Sequence, residues 1–257
     1  MGCYAIKFDL KSGYHHLGIF PEHQTYLGFS WPKNGINSYY TFSVLPFGLS
    51  TACYIFTKTL RPLVKKWRSM GFRIVLYLDD GIWVHNDPTT LTEHAKIIKF
   101  DLHSSGFVIN FEKNQFIPSQ LITWLGFSMN FVENKIFVTD DKVAHILEKI
   151  KNSLSREFST PRSFSSLVGT LISFLPAMGK EVLFRSRFMQ QQIASNAVIG
   201  WDRKFSISQS SRSELEFWSS KLIIINGRPI IETNKACSLD VFSDASDFAG
   251  GGSYKAI

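Results

Sequence analysis

The chain has 257 residues, 44% of them hydrophobic, and a formal charge of +7. That size and apolar fraction exclude a disordered or fibrous chain and provide for one large or two small cores. Its three cysteines, Cys3, Cys53 and Cys237, are odd in number and lack any C-x-x-C spacing, so neither a disulfide framework nor a zinc site is indicated.

No apolar run approaches membrane-spanning length, and the N-terminus lacks a signal-peptide pattern. Met1-Gly2 begins like a myristoylation signal, but Ile6 stands where Ser or Thr is required. The expectation is an intracellular, soluble protein, cytoplasmic or nuclear, with no membrane partner. The 23 phenylalanines point to a core filled by aromatic packing. The basic excess is uneven: Lys58 to Arg73 holds six basic and no acidic residues, and residues 140–230 hold 13 basic against 8 acidic. Such surfaces favour polyanions, although a charge run is also what a solvated face looks like.

In chain order, Tyr4 to Leu10 reads as a strand ending on Asp9, followed by the loop signal Lys11-Ser12-Gly13. Residues 16–20 and 26–31 read as β, Pro32-Lys33-Asn34-Gly35 turns the chain, and 38–45 is β again until Pro46-Phe47-Gly48 breaks it. Ala52, Phe56, Leu60, Leu63, Trp67 and Met70 recur at helical steps, with Gly71 in the position that closes a helix. Residues 73–85 are two apolar runs meeting at Asp79-Asp80-Gly81, and Asp-Gly between such runs signals a hairpin, which sets the carboxylates on its tip. Asp87-Pro88 opens a second helix with Leu91, Ala95, Ile98 and Leu102 on one side and Gly106 after its end. Strands are expected at 107–116 and 121–130, joined through Pro118-Ser119, then a short hairpin over 131–139 with Glu133-Asn134 at its tip. This order predicts an α+β fold, an antiparallel sheet with helices on one face.

From Asp140 the pattern turns helical: Val143, Ile146, Leu147, Ile150 and Leu154 form one stripe, Thr160-Pro161 starts a helix to about residue 175, and two more follow near 180–195 and 209–221. Residues 239–246 return to β, ahead of a Gly-rich turn, Gly250-Gly251-Gly252. The expected division is 1–139, 140–230 and 231–257.

Asp9 and Asp79-Asp80 are separated by one hairpin and one helix, enough chain to return the two strands side by side. An Asp at a strand end caps a turn or ligates a cation, and the residues alone leave both open. Adjacent carboxylates raise each other's pKa unless a cation lies between them, and paired acidic oxygens suit Mg²⁺. If all three converge, they suit a two-metal clamp with the ions about 3.5–4 Å apart.

Five stretches carry a family resemblance. Phe8-Asp9-Leu10-Lys11-Ser12-Gly13-Tyr14-His15-His16, Leu45-Pro46-Phe47-Gly48-Leu49-Ser50-Thr51-Ala52, Tyr77-Leu78-Asp79-Asp80, Asn110-Phe111-Glu112-Lys113 and Trp124-Leu125-Gly126-Phe127 resemble, in order and spacing, the palm motifs of retroelement reverse transcriptases. Phe56-Thr57-Lys58, Trp67-Arg68 and Pro118-Ser119-Gln120 are most similar to tyrosine-recombinase (DIRS-type) retrotransposons, with Ty3/gypsy-like elements next. The likeness covers residues 4–190, and Phe242-Ser243-Asp244-Ala245-Ser246 resembles the first strand of a ribonuclease H domain.

The resemblance implies a polymerase palm with partial fingers, then a helical thumb or connection, then the start of a ribonuclease H-like domain. It implies an RNA-directed DNA polymerase core that uses two Mg²⁺, or Mn²⁺, an RNA or DNA template, a DNA primer and deoxynucleoside triphosphates, within flanking polyprotein domains. Asp9, Asp79, Asp80 and the Leu10 carbonyl would be metal ligands. Lys11, Ser12, Gly13, Tyr14, Phe47 and Gly48 would line the nucleotide site, and Tyr77, Trp124, Leu125 and Gly126 would hold primer and template. Tyr14 falls where the family has an aromatic gate against a 2′-hydroxyl, with core packing as the competing explanation of a lone Tyr. Lys113 is either a general acid for the leaving pyrophosphate or a solvated lysine after a strand. Eight residues precede Asp9 and thirteen follow Asp244, fewer than the family's fingers and ribonuclease H segments need. Both ends therefore read as cut from a larger polyprotein, with no RNA-strand hydrolysis expected, and a non-catalytic nucleic-acid-binding remnant is the competing reading.

Overall fold

In the computed structural model, which describes residues 2–231, 239–245 and 250–256, the chain begins with strand β1 (Tyr4–Asp9), a 3₁₀ turn over Gly13–His16 and the short helix α1 (Pro21–Gln24). A hairpin of β2 (Gly28–Lys33) and β3 (Ile36–Thr41) follows, then helix α2 (Ala52–Ser69), the hairpin β4 (Arg73–Tyr77) and β5 (Asp80–His85), and helix α3 (Pro88–Ser104). Next come β6 (Gln115–Ser119), β7 (Leu121–Trp124), β8 (Phe127–Asn130) and β9 (Lys135–Val138).

One sheet, ordered β4-β5-β1-β6, carries the centre of the molecule. Alternation along β1 sends Ile6 and Phe8 to one face and Ala5, Lys7 and Asp9 to the other. Helices α2 and α3 cover the first face, where Phe56, Leu60, Trp67, Leu91, Ile98 and Leu102 pack with Phe8, Ile74 and Trp83. Asp101 clamps the two helices together: its carboxylate, 6% exposed, accepts from Trp67 Nε1 at 2.9 Å and from Lys66 Nζ at 2.7 Å. A buried carboxylate holds only when paired in this way, and both partners are supplied by α2. On the second face Ala5 and Ile82 meet Ile122, with Trp124, Met129 and Phe131 against them.

The chain is then helical, through α4 (Asp140–Leu154), α5 (Pro161–Ser173), α6 (Leu175–Met178), α7 (Glu181–Phe184), α8 (Arg187–Ala197) and α9 (Gln209–Ile225), with a small pair, β10 (Phe158–Ser159) and β11 (Phe205–Ser206). These helices share their own core of Ile146, Ile150, Phe164, Leu171, Trp218 and Leu222, joined by Val138. Strand β12 (Arg228–Pro229) returns to β9, giving a second sheet ordered β12-β9-β8-β7. Backbone hairpin β13 (Leu239–Ala245) and β14 (Gly250–Ala256) ends the described residues.

The α+β architecture with helices on one face of an antiparallel sheet is as the sequence predicts. Several boundaries differ. Residues 107–114 are not a strand; they run irregularly beside the end of β1, with Lys11 N–H donating to Val108 O and Asn110 N–H to Asp9 O, both at 2.8 Å. The run 121–130 is two strands with a turn at Leu125-Gly126, and the hairpin tipped by Asn134 joins β8 to β9. Residues 16–20 form no strand, only an isolated bridge from Gly18 to Val44. The expected helix at 180–195 is broken after Phe184, and Gly250-Gly251-Gly252 lie within β14 rather than in a turn. Cys237 and Ser246 lie outside the described residues.

Candidate active site

The β4–β5 hairpin pairs Tyr77 with Asp80, which leaves Leu78 and Asp79 as a two-residue turn. Leu78 has φ 54° and Asp79 has no positive φ, the pattern of a type II′ turn with Leu where Gly is usual. A Leu held at positive φ costs about 1–3 kcal/mol, and such strain is concentrated at functional sites. The turn is tied down because Leu10 N–H donates to Asp79 O at 3.0 Å. The carboxylates are therefore divided: Asp79 is on the tip, and Asp80 is the first residue of β5. Gly81, expected in the turn, serves the core instead; a Cβ there would stand 2.4 Å from the Phe8 ring.

Asp80 faces Asp9 as its direct partner across β5 and β1. With Tyr77 opposite Asp80 on the far side, the three residues make a row across three strands on the face away from α2 and α3. Asp80 is pushed up to about 6, first by burial, then by the charges of Asp9 and Asp79 and a hydrogen bond with Asp9; Lys7 opposes the shift. Lys7 Nζ is itself anchored on Thr123 O at 2.7 Å. Asn110 Nδ2 donates to Asp9 Oδ1 at 3.0 Å. Crowded carboxylates with only oxygen donors fit a hard divalent cation. Among the described residues no three His, Cys, Asp or Glu side chains are grouped closely enough to hold a metal ion. The corner thus presents the Asp9–Asp80 pair, with Asp79 one residue away on the turn.

Beside it lies a cavity of about 290 Å³ lined by Gly13, Tyr14, Phe47, Gly48, Cys53 and Asp79 among others. Tyr14, only 9% exposed, packs edge-on to Phe56 at 4.9 Å and tilted against Phe47 at 5.0 Å. Its hydroxyl donates to Cys53 Sγ at 3.1 Å, and its pKa is pushed up to about 12, chiefly by that bond and by burial. Gly13 is required by space, since a Cβ would lie 2.7 Å from the Phe56 ring and 3.3 Å from Asp79 Cβ. Phe47 is largely exposed over Tyr14, Gly48 has φ 87°, and Lys11 and Ser12 stand exposed at the rim of β1.

Tyr77 is exposed at the end of β4, while Trp124 packs with Ala5, Ile82 and Ile122 at the end of β7. Leu125 and Gly126, at φ 49° and 76°, make the β7–β8 turn, and Lys142 of α4 reaches Leu125 O at 3.4 Å. A Cβ on Gly126 would collide with the Lys142 side chain.

A family profile described as "Reverse transcriptase (RNA-dependent DNA polymerase)" matches residues 1–129, half of the chain. The chain belongs to the reverse transcriptase family. The genome polyprotein of Petunia vein clearing virus (isolate Shepherd) is 27% identical over 180 residues, 68% of this chain and 8% of that protein. The putative enzymatic polyprotein of Cassava vein mosaic virus is 26% identical over 98% of this chain and 36% of its own length. The reverse transcriptase chain thus spans well under half of these polyproteins. A foamy viral protease-reverse transcriptase solved in complex with RNA/DNA hybrid shares the fold, with a TM-score of 0.69 at 19% identity, over 98% of this chain and 31% of that one.

The fold of this reverse transcriptase domain gathers most of the residues singled out by sequence. Asp9 and Asp80 touch, Asp79 adjoins them, and Gly13, Tyr14, Phe47 and Gly48 share one cavity with Asp79. Lys113 is exposed and makes no hydrogen bond or ion pair among the described residues. Three residues were missed. Asn110 lies in a quoted motif, yet only its bond to Asp9 reveals it. Lys7 and Cys53 carry no sequence signal beyond their neighbours.

Proposed function

We propose that this chain is the RNA-directed DNA polymerase core of a retroelement polyprotein, adding deoxynucleotides to a primer 3′-hydroxyl on an RNA or DNA template. The observation supporting it best is the facing pair Asp9 and Asp80, crowded enough to push Asp80 up to about 6, next to a cavity bounded by Asp79 and Tyr14. Asp9, Asp79, Asp80 and the Leu10 carbonyl are the candidate ligands for two Mg²⁺ ions, with Mn²⁺ as a substitute; the Asp9–Asp80 pair is already assembled, and Asp79 would have to draw in beside it to complete the set. Such cations lower the pKa of an attacking hydroxyl and neutralise charge on a departing pyrophosphate.

The chain's own residues do the positioning. Tyr14 closes the floor of the cavity, so a sugar without a 2′-hydroxyl fits above it. Phe47 and Gly48 border the incoming base and sugar, where Gly48 leaves the backbone bare. Lys11 and Ser12, exposed at the rim, suit the triphosphate. Lys113, exposed after Glu112, is assigned as the acid for the leaving group. Tyr77 and the Trp124-Leu125-Gly126 turn hold the primer end in line with the carboxylates. Residues 140–230 act as the thumb, where Lys142, His145, Lys149 and Arg156 line grooves between α4 and α5 and offer phosphate contacts.

Within the family we place the chain nearest the DIRS-type elements, on Phe56-Thr57-Lys58, Trp67-Arg68 and Pro118-Ser119-Gln120. Residues 231–257 are assigned to the start of a ribonuclease H-like domain, and residues 1–139 to palm with partial fingers. The site of action is taken to be cytoplasm or nucleus. Primer extension with Mg²⁺ tests the proposal: wild type extends a primed template, and Asp79→Asn falls by more than about a hundredfold, since even outer-shell metal partners are worth ten- to a hundredfold. Equal extension by Asp79→Asn would defeat the metal assignment. Salt-sensitive duplex binding with no incorporation would favour a non-catalytic binding remnant instead.

A further inference from the structure

We propose that Cys53 is a positioning residue of the nucleotide cavity, its thiol holding the Tyr14 ring in the place where it excludes a 2′-hydroxyl. This rests on reading Tyr14 as the sugar gate, and assigns control of that gate to a second residue.

Tyr14 is restrained at three points. Phe56 stands edge-on to one side of its ring and Phe47 leans on another, and these contacts fix the ring's plane. Neither ring pins the swing of the side chain about χ1, which carries the hydroxyl end furthest. That is set at the hydroxyl, which donates to Cys53 Sγ at 3.1 Å. Cys53 is one residue into α2, directly after the buried Ala52, so the helix fixes its backbone and the thiol is left only its few staggered χ1 positions. The thiol is a free cysteine, exposed, and lines the same cavity as Tyr14, Gly48 and Asp79. A side chain of different size or polarity at position 53 therefore changes the floor of the cavity without touching the carboxylates. With no acceptor there, the phenol is left unpaired and the ring shifts into the space vacated, which deepens the floor under the sugar.

The test compares kcat/KM for a deoxynucleotide and the matching ribonucleotide in single-nucleotide incorporation. Cys53→Ala should lower the deoxy-over-ribo ratio about fivefold, the worth of one neutral hydrogen bond. Tyr14→Phe should lower it similarly, the double variant should add nothing further, and Cys53→Ser, which restores an acceptor, should recover it. A ratio unchanged in Cys53→Ala while Tyr14→Ala abolishes discrimination overturns the role of Cys53 and leaves the gate standing. A ratio unchanged in Tyr14→Ala overturns the gate itself. A readout free of catalysis is alkylation of Cys53 by N-ethylmaleimide in a Cys3→Ser, Cys237→Ser background. With Mg²⁺, dATP should slow labelling and ATP should not. Equal protection by both, or none by dATP, counts against the proposal even if the chain incorporates nothing.

Discussion

Asp9 and Asp80 stand directly opposite each other where β1 ends and β5 begins, and Asp80 is pushed up to about 6 because burial and two neighbouring carboxylates oppose its charge. Its folded pKa is thus above its ordinary value of 3.8, the reverse of a salt-bridged Asp. Folding favours the protonated form, so its contribution to stability is whole below about pH 4 and is lost as the pH rises through about 6. We predict that, without divalent cations, thermal stability declines over that interval. Mg²⁺ should raise the melting temperature at neutral pH and leave it nearly unchanged at acidic pH. Asp80→Asn should be more stable than wild type at neutral pH without metal and should lose the Mg²⁺ response. Melting curves identical for both proteins, with and without Mg²⁺, would sink this account of the corner.

Asn110 ties Asp9 twice, through its backbone N–H to Asp9 O at 2.8 Å and its side-chain amide to Asp9 Oδ1 at 3.0 Å. Asn110→Ala removes the second tie and frees the carboxylate to rotate. Outer partners of metal ligands are worth about ten- to a hundredfold in affinity or activity. We expect primer extension to fall by that factor, with the Mg²⁺ concentration for half-maximal rate moving upward. A slower rate at an unmoved Mg²⁺ midpoint would mean that Asn110 supports the fold and not the ligand.

The sequence showed the elements better than their joints. Helical periodicity marked α2 and α3 because their buried faces are long and regular, and Gly71 and Gly106 end them with φ 86° and 81°. The Asp-Gly signal found the central hairpin but misplaced its turn by two residues. Local propensity counts Gly81 as turn chemistry, while the fold needs it bare because Phe8 lies against it. Residues 107–114 looked like a strand because they are apolar, yet their backbone bonds go to the irregular end of β1, a long-range pairing that no local pattern encodes. The cavity was legible at Tyr14 and Gly48, which lie in recognisable motifs. Cys53 was not, because its contact with Tyr14 spans 39 positions.

Gly81 gives the sharpest stability prediction. A methyl group at this position would press on the Phe8 ring, whose atoms lie at 2.4, 2.5 and 3.0 Å from the ideal Cβ. Phe8 is wedged against Trp67 and Trp83 and has no room to retreat. Overpacking of this kind costs about 1–3 kcal/mol. Gly81→Ala should lose that much in urea denaturation. Because Gly81 adjoins Asp80 and pairs with Phe8, the shift should also displace the Asp9–Asp80 pair, so extension should fall together with stability. A variant as stable as wild type would show that the strand end yields more easily than its packing suggests.

The α4–α5 grooves should govern binding strength rather than chemistry. Lys149 Nζ lies 3.3 Å from Ser166 Oγ across the two helices, and Arg156 lines the neighbouring groove. Lys142 contacts the Leu125-Gly126 turn and lines the first groove with His145. A lysine or arginine that meets a phosphate releases one counterion, so each such contact contributes roughly one unit to the salt dependence of binding. Lys149→Ala and Arg156→Ala should each weaken duplex affinity and shallow the plot of log affinity against log salt by about one. Their incorporation rates at saturating duplex should hold. Lys142→Ala should differ, because its ammonium also reaches the Leu125-Gly126 turn proposed above to hold the primer end, and there the rate at saturation should drop as well. If all three variants bind with the wild-type salt slope, the duplex does not lie along these helices, and the basic residues of this region form only a solvated face.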